Sequence, residues 1–168
     1  MSFRLWYPQL DAYDAIRRVA TLLREWTLTP PSLERLYILD FYMANPPLLH
    51  RTYMSQPIRD AFQALRIDKP DKTFLKYPAS QILFHKMESV QRQAIQNLLG
   101  KGLLSPEAYS RGTAWPSQQG MEVFGRSFLE LTTEKERSLV KFLTTSFATI
   151  GSTNASELHR STGLRRIN

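Results

Sequence analysis

The stretch LYILDFYMANPPLLHR, residues 36–51, decides the fold that we expect for this sequence. All but one of its first eight residues are large and apolar, and Asp40 is the single charge among them. Because apolar residues cover most of the circumference, the segment predicts a helix buried on more than one side. Pro46 and Pro47 end this helix, since proline lacks the N–H that the next turn needs. Either the helix is central to this chain's own core, or another chain completes part of its apolar face.

Asp40 raises a separate question, because an unpaired buried carboxylate is costly. One interpretation places Asp40 on the single solvated strip of the helix. The other places it inside, next to a basic partner. In that case we expect the partner to be Arg35 or Arg51, which are close in sequence.

The composition is that of one folded domain with a basic surface. The chain has 168 residues, of which 42% are hydrophobic and 11% aromatic, which is enough for a core. Its 22 Lys and Arg against 15 Asp and Glu give a net charge of +7, which favours nucleic acid or an acidic protein face as a partner. Cysteine is absent, which excludes disulfides, thiolate nucleophiles and Cys-based zinc sites. We expect a cytoplasmic location without membrane association, because no signal peptide or long apolar run is evident.

Apolar periodicity predicts four further helices. They cover residues 11–26, a short segment from about residue 56, residues 79–99 and a segment that follows Thr133. Ser32 is the predicted N-cap of the central helix, and Thr133 with Glu136 forms a capping box.

The segment after the long helix has the order of a winged-helix domain. Leu103 and Leu104 predict a short strand, residues 105–120 a turn-rich wing, and residues 121–124 (MEVF) a second strand. The fold class predicted is therefore mostly α with a small β-hairpin. We expect a winged-helix-like domain over residues 1–151, followed by a basic tail or short docking helix over residues 152–168.

The sequence contains no signature of a catalytic site. A nucleophile elbow, a P-loop, a dinucleotide fingerprint and an H-E-x-x-H motif are all absent. His50, His85 and His159 lie in unrelated segments, so we expect each to be exposed or locally hydrogen-bonded. We predict no enzymatic activity, no cofactor and no metal site.

The basic residues form a candidate surface for phosphate contacts. On this interpretation they would meet nucleic acid, although a merely solvated surface has the same composition. The candidates for nucleic-acid contact are Lys86, Arg92, Lys101, Arg111, Arg165 and Arg166.

Several of these segments resemble a known family. The run LDFY at residues 39–42, followed by PPLL at residues 46–49, resembles the aromatic stretch in the middle components of bacterial ABC-three-component systems. The helix that runs into Gly-Leu-Leu at residues 102–104 and the segment LHRSTGL at residues 158–164 fit the same pattern.

The resemblance implies a non-catalytic subunit of a bacterial defence assembly, with Lamassu-type systems as the nearest example. Its partners would be an SMC-like ATPase with a coiled coil and an effector nuclease, and any DNA contact would run through the complex. The apolar excess would then be shared with a partner surface. The residues expected there are Trp6, Tyr7, Tyr37, Phe41, Tyr42, Leu48, Leu49, Leu158 and Leu164.

Two other interpretations compete with this one. The first is a free-standing winged-helix transcriptional regulator that binds DNA, whose affinity would fall steeply with salt. The second is an unrecognised nuclease or toxin, which has only scattered Asp, Glu and His residues in its favour.

Overall fold

The structure, a computed structural model, describes residues 7–73, 76–127 and 132–166, and most of these residues are helical. The α-helices within these residues are α1 (Ala12–Glu25), α2 (Leu33–Ala44), α3 (Gln56–Gln63), α4 (Ser80–Gly100), α5 (Pro106–Ser110), α6 (Gln118–Ser127), α7 (Glu134–Thr144) and α8 (Ala155–Thr162). Short 3-10 turns connect them at Pro8–Leu10, Pro46–Arg51, Pro70–Lys72 and Phe147–Thr149.

Side-chain caps fix where the main helices begin. The Asp11 carboxylate accepts hydrogen bonds from the backbone N–H groups of Tyr13 and Asp14 and so starts α1. The hydroxyls of Ser32 and Thr133 cap α2 and α7, as predicted from the sequence. Each cap satisfies a backbone donor that the helix itself leaves unpaired.

Helix α2 is the centre of the core. It packs against α1, α4 and α7, and every residue from Leu36 to Met43 is buried. Phe41 meets Tyr42 and Phe84 in edge-to-face contacts, at centroid distances of 5.1 and 5.6 Å. The chain itself therefore covers the helix on all sides, which favours the first of the two explanations for its apolar excess.

The predicted β-hairpin is wrong. Residues 121–124 lie inside α6, and α5 occupies the middle of the expected wing. The pairing found in the described residues is limited to isolated bridges, one joining Leu104 to Pro116 and the other Ser32 to Thr113. Two backbone hydrogen bonds flank the Leu104–Pro116 bridge, from Ser105 N–H to the Trp115 carbonyl oxygen and from Ser117 N–H to the Leu103 carbonyl oxygen. The pairing stops there because α4 ends at Gly100 and α6 begins at Gln118. Without the hairpin the winged-helix prediction is not supported either. The interpretation as a winged-helix regulator thereby loses its structural basis.

Ser117 and Gly120 explain why a helix forms where a strand was predicted. The Ser117 hydroxyl accepts a hydrogen bond from the Gly120 N–H at 3.0 Å and so caps the first turn of α6. Gly120 is buried against the backbone of Leu103, where a Cβ would overlap the carbonyl oxygen. The strand-forming residues of this segment thus belong to a capped helix that approaches the end of α4 closely.

The segment 152–168, expected to be a tail or docking helix, contains α8. Leu158 on this helix and Leu164 after it are both buried and belong to the main hydrophobic core. Gly163 ends the helix in the left-handed region with φ of 70°. The described part of this segment thus packs on the rest of the domain.

Candidate functional site

A buried ionic network joins α1, α2 and α4 at the centre of the domain. Arg18 on α1 is 1% exposed, and Asp40 on α2 is fully buried. The Arg18 Nε donates to Asp40 Oδ1 at 2.7 Å, and Nη2 lies 3.4 Å from Oδ2. Two charged groups at this depth stabilise the fold only when their geometry is good and their remaining polar atoms are bonded.

Asp14 provides Arg18 with a second carboxylate one helical turn away. The Arg18 Nη1 donates to Asp14 Oδ2 at 2.5 Å and to the carbonyl oxygen of Pro8 at 3.2 Å. Burial lowers the pKa of Arg18, but the attraction of Asp40 and Asp14 and their hydrogen bonds raise it by more. The guanidinium therefore stays charged at every physiological pH.

Gln91 extends the network from α4. Its Nε2 donates to Asp40 Oδ2 at 2.8 Å and to the carbonyl oxygen of Tyr37 at 2.9 Å, which occupies both amide hydrogens. Its Oε1 accepts from Arg166 in the C-terminal segment. One amide thus links three parts of the chain that are distant in sequence.

The expected partners of Asp40 were wrong, because the carboxylate is neither solvated nor paired with Arg35 or Arg51. Arg35 instead donates to the carbonyl oxygens of Ala148 and Ile150 at 3.2 and 2.8 Å, and burial lowers its pKa. Arg51 donates to the carbonyl oxygen of Pro78 at 3.0 Å. Asp40 lies on the face of α2 that packs against α1, whereas Arg35 lies on another face of α2 and Arg51 lies beyond the end of the helix.

The C-terminal segment docks on α4 through Arg166. Its guanidinium stacks 3.8 Å from the ring centroid of Phe84, and its Nη1 donates to the Phe84 carbonyl oxygen at 2.5 Å. The side chain of Gln81 exchanges two hydrogen bonds with the backbone of Arg165, at 2.7 and 3.0 Å. Desolvation lowers the pKa of Arg166, in part offset by Glu88.

Most residues predicted for a partner interface are enclosed by this chain. Tyr7 is 46% exposed and is the exception among those described, and Trp6 lies outside the described residues. The enclosed residues are Tyr37, Phe41, Tyr42, Leu48, Leu49, Leu158 and Leu164, none more than 7% exposed. Partner contact through them stays a prediction, and in this conformation their side chains serve the core.

The residues predicted for nucleic-acid contact are spread over several segments, and their contact with nucleic acid stays a prediction. Lys86 and Arg92 are exposed on α4, but six residues of helix set their directions about 120° apart. Arg92 is bonded to Glu88 at 2.9 Å, a hydrogen bond that lowers the pKa of the Glu88 carboxyl. Lys101, Arg111 and Arg165 are exposed on other segments, whereas Arg166 is half-buried in the fold.

Within residues 7–73, 76–127 and 132–166, no group of three or more His, Asp or Glu side chains could hold a metal ion. Among the helices formed by these residues, none is both long and apolar enough to span a bilayer.

Comparison with known families identifies the chain. The model of the family described as ABC-three component (ABC-3C) system Middle Component 5 matches residues 4–167. The chain belongs to this middle-component family. It is therefore one component of an ABC-three component system, and partner proteins are implied by that membership. No curated protein and no solved structure matches the middle component.

Sequence reasoning missed two residues of the ionic network in this middle component. A signal for Arg18 was present, because Asp14 stands four residues before it and such pairs meet on a helix surface. The link from Arg18 to Asp40 spans 22 residues, and Gln91 is 51 residues beyond Asp40. Neither of these long-range contacts leaves a pattern in the sequence.

Proposed function

We propose that this chain is a non-catalytic docking subunit of a bacterial defence assembly. In this role it binds an SMC-like ATPase with a coiled coil and positions an effector nuclease, in an assembly of the Lamassu type. The observation that carries the proposal is the family match over residues 4–167, which makes the chain one component among several.

The buried charged side chains bond to each other across helices, and this arrangement supports a structural role. Arg18 and Asp40, the most deeply buried charged pair, hold α1 on α2, and Gln91 ties both helices to α4. Groups that are locked together in this way position helices and are not poised to meet a substrate. We accordingly infer that these groups keep the domain rigid, so that it can serve as a platform for other subunits.

An exposed apolar surface at the start of the described chain is the proposed docking site for the ATPase. Tyr13 is 84% exposed, Tyr7 46% and Leu10 42%. Tyr7 precedes the first 3-10 turn, Leu10 ends that turn and Tyr13 lies in the first turn of α1. We call these residues the N-terminal aromatic patch. Tyrosine is enriched at protein interfaces because it offers a large apolar ring with a polar tip.

Co-purification of the full chain with an SMC-like ATPase of the same system tests the proposal. We expect a stable complex with the natural chain, and a loss of affinity of about tenfold or more for Tyr13→Ser combined with Leu10→Ser. The matched control is Tyr53→Ser, which removes a tyrosine that is 75% exposed on another part of the surface.

The outcomes separate the docking role from the docking site. A complex that tolerates the double substitution as well as Tyr53→Ser places the interface elsewhere and rejects the N-terminal aromatic patch. A chain that fails to bind the ATPase under any condition, or that turns over a substrate alone, overturns the docking function itself.

A further inference from the structure

A basic cleft lies between the 3-10 turn at Pro46–Arg51, the end of α3 and the 3-10 turn at Pro70–Lys72. Its volume is about 590 Å³. The charged and titratable side chains that line it are those of His50, Arg59, Arg66, Lys69 and Asp71. We call this site the basic cleft.

Positive side chains predominate in the lining of the basic cleft. Arg59, Arg66 and Lys69 line the cleft, and in the described residues none of them forms an ion pair. Three cations less the one carboxylate of Asp71 leave a charge of +2 with His50 neutral. Like charges gathered in a concavity repel each other and raise the local concentration of anions.

The backbone at Arg66 is a second and independent observation. Arg66 has φ of 53°, in the left-handed region, and is the one residue other than glycine with positive φ in the described chain. It follows the end of α3, a position where glycine is favoured because a Cβ is strained there. A strained turn occupied by a long side chain points to a use for that side chain, and the side chain of Arg66 lines the basic cleft.

The same turn builds one wall of the cleft. After Arg66 the chain places the carbonyl oxygen of Ile67 at 2.7 Å from His50 Nε2, and the His50 ring stands edge-on to Phe62 at 4.8 Å. Nε2–H must be the donor, because a carbonyl can only accept. His50 is thereby fixed in place, and the side chain of Arg66 joins a cleft with a defined wall.

We propose that the basic cleft binds a phosphate group. A phosphate monoester carries a charge of about −1.5 to −2 at neutral pH, which matches the +2 of the cleft, whereas a carboxylate carries only one charge. Arg59 and Arg66 offer planar forks for two-point hydrogen bonding to phosphate oxygens, and Lys69 adds a compact charge. The phosphate would come from the terminal group of a free nucleotide or from a nucleic-acid backbone, where two neighbouring singly charged phosphates together supply about −2. This site is separate from the N-terminal aromatic patch and does not depend on the docking proposal.

Titration of the full chain with three probes tests the site. The probes are inorganic pyrophosphate, a nucleoside triphosphate and a short DNA duplex, each followed by calorimetry and by NMR of the arginine and lysine side chains. We expect saturable binding with Kd of about 1 mM or tighter for at least one probe. Shifts should be confined to the cleft residues.

Three substitutions and one control make the test specific. Arg59→Gln, Lys69→Gln and Arg66→Gly should each weaken binding about tenfold. Lys141→Gln removes an exposed positive charge from α7 and should leave binding unchanged. Arg66→Gly is the decisive variant, because glycine relieves the left-handed strain and should raise the midpoint of thermal unfolding while binding weakens by the same factor.

Each result either identifies the source of the phosphate or overturns the proposed site. Binding of the triphosphate alone identifies a free nucleotide as the source, and binding of the duplex alone, weakened by the same three substitutions, identifies nucleic acid. No binding of any probe at about ten times the expected Kd overturns the proposal. Binding that survives Arg66→Gly and Arg59→Gln at full strength overturns it as well.

Discussion

Removing the Asp40 carboxylate should destabilise the domain more than the loss of any surface charge. In Asp40→Ala the buried Arg18 guanidinium loses its Nε and Nη2 acceptors and keeps only Asp14 and the Pro8 carbonyl oxygen. Breaking a buried ion pair costs about 3–5 kcal/mol. Because Asp14 still neutralises Arg18 in part, we expect about 3 kcal/mol, equivalent to a fall of about 6–12 °C in Tm.

A double-mutant cycle shows whether this cost comes from the pair. Arg18→Met alone and Asp40→Leu alone are the single variants of the cycle, and each should cost about as much as Asp40→Ala. Arg18→Met leaves the carboxylate buried with only an amide donor, and Asp40→Leu leaves the guanidinium without its main acceptors. Arg18→Met combined with Asp40→Leu replaces the pair by apolar side chains, and we expect this variant to lie within about 1.5 kcal/mol of the natural chain. The coupling energy should then exceed about 2 kcal/mol.

Urea unfolding followed by far-UV circular dichroism measures all four corners of the cycle. Arg92→Met is the matched control, because Arg92 pairs with Glu88 at the surface, where screening reduces the cost to a few tenths of a kcal/mol. A loss of less than about 1 kcal/mol for Asp40→Ala, or strictly additive losses in the double variant, would refute the reasoning.

Three further changes test other parts of the fold. Burial raises the pKa of Tyr42, so the folded state holds the phenol proton more tightly than the unfolded state does. The free energy of unfolding should therefore fall as pH rises above about 10, where the unfolded tyrosine loses its proton. Tyr42→Phe should reduce that fall, as measured by urea titrations at alkaline pH. Gly120→Ala should lower the free energy of unfolding by about 2 kcal/mol or more, because its Cβ would overlap the Leu103 carbonyl oxygen. Gly125→Ala on the same helix adds a Cβ that meets no atom within 4 Å, so it should raise the free energy of unfolding by a few tenths of a kcal/mol. Thermal unfolding measures both. Arg166→Ala should speed amide hydrogen exchange in the C-terminal segment about tenfold, and unchanged exchange would show that the stacked guanidinium does not hold this segment.

Local patterns were sufficient to predict most of the helices. The stretch at residues 36–51 predicted α2, which ends at Ala44 before the prolines, and the caps at Ser32 and Thr133 were also correct. These features depend on residues within one or two turns of each other, such as a hydroxyl and the N–H three residues on. Family membership was likewise accessible, because the order of apolar runs and turns extends along nearly the whole chain.

The strand prediction at residues 121–124 was wrong because a segment of four residues is too short to distinguish the hydrophobic periodicity of a strand from that of a helix. Whether they form a helix was decided by the Ser117 cap and by the approach of Gly120 to Leu103, a contact between α6 and the segment after α4. Sequence spacing does not reveal which backbone a glycine will meet in space.

The sequence by itself determined that this chain is a helical, cysteine-free and basic middle component with one over-apolar helix. Only the tertiary structure decided that Asp40 is buried and bonded to Arg18 and Gln91, and that Arg59, Arg66 and Lys69 line one cleft. The physical reason is the range of the forces involved. Helix formation and capping are set by neighbours along the chain, whereas burial and electrostatic pairing depend on which faces the packed helices present to each other.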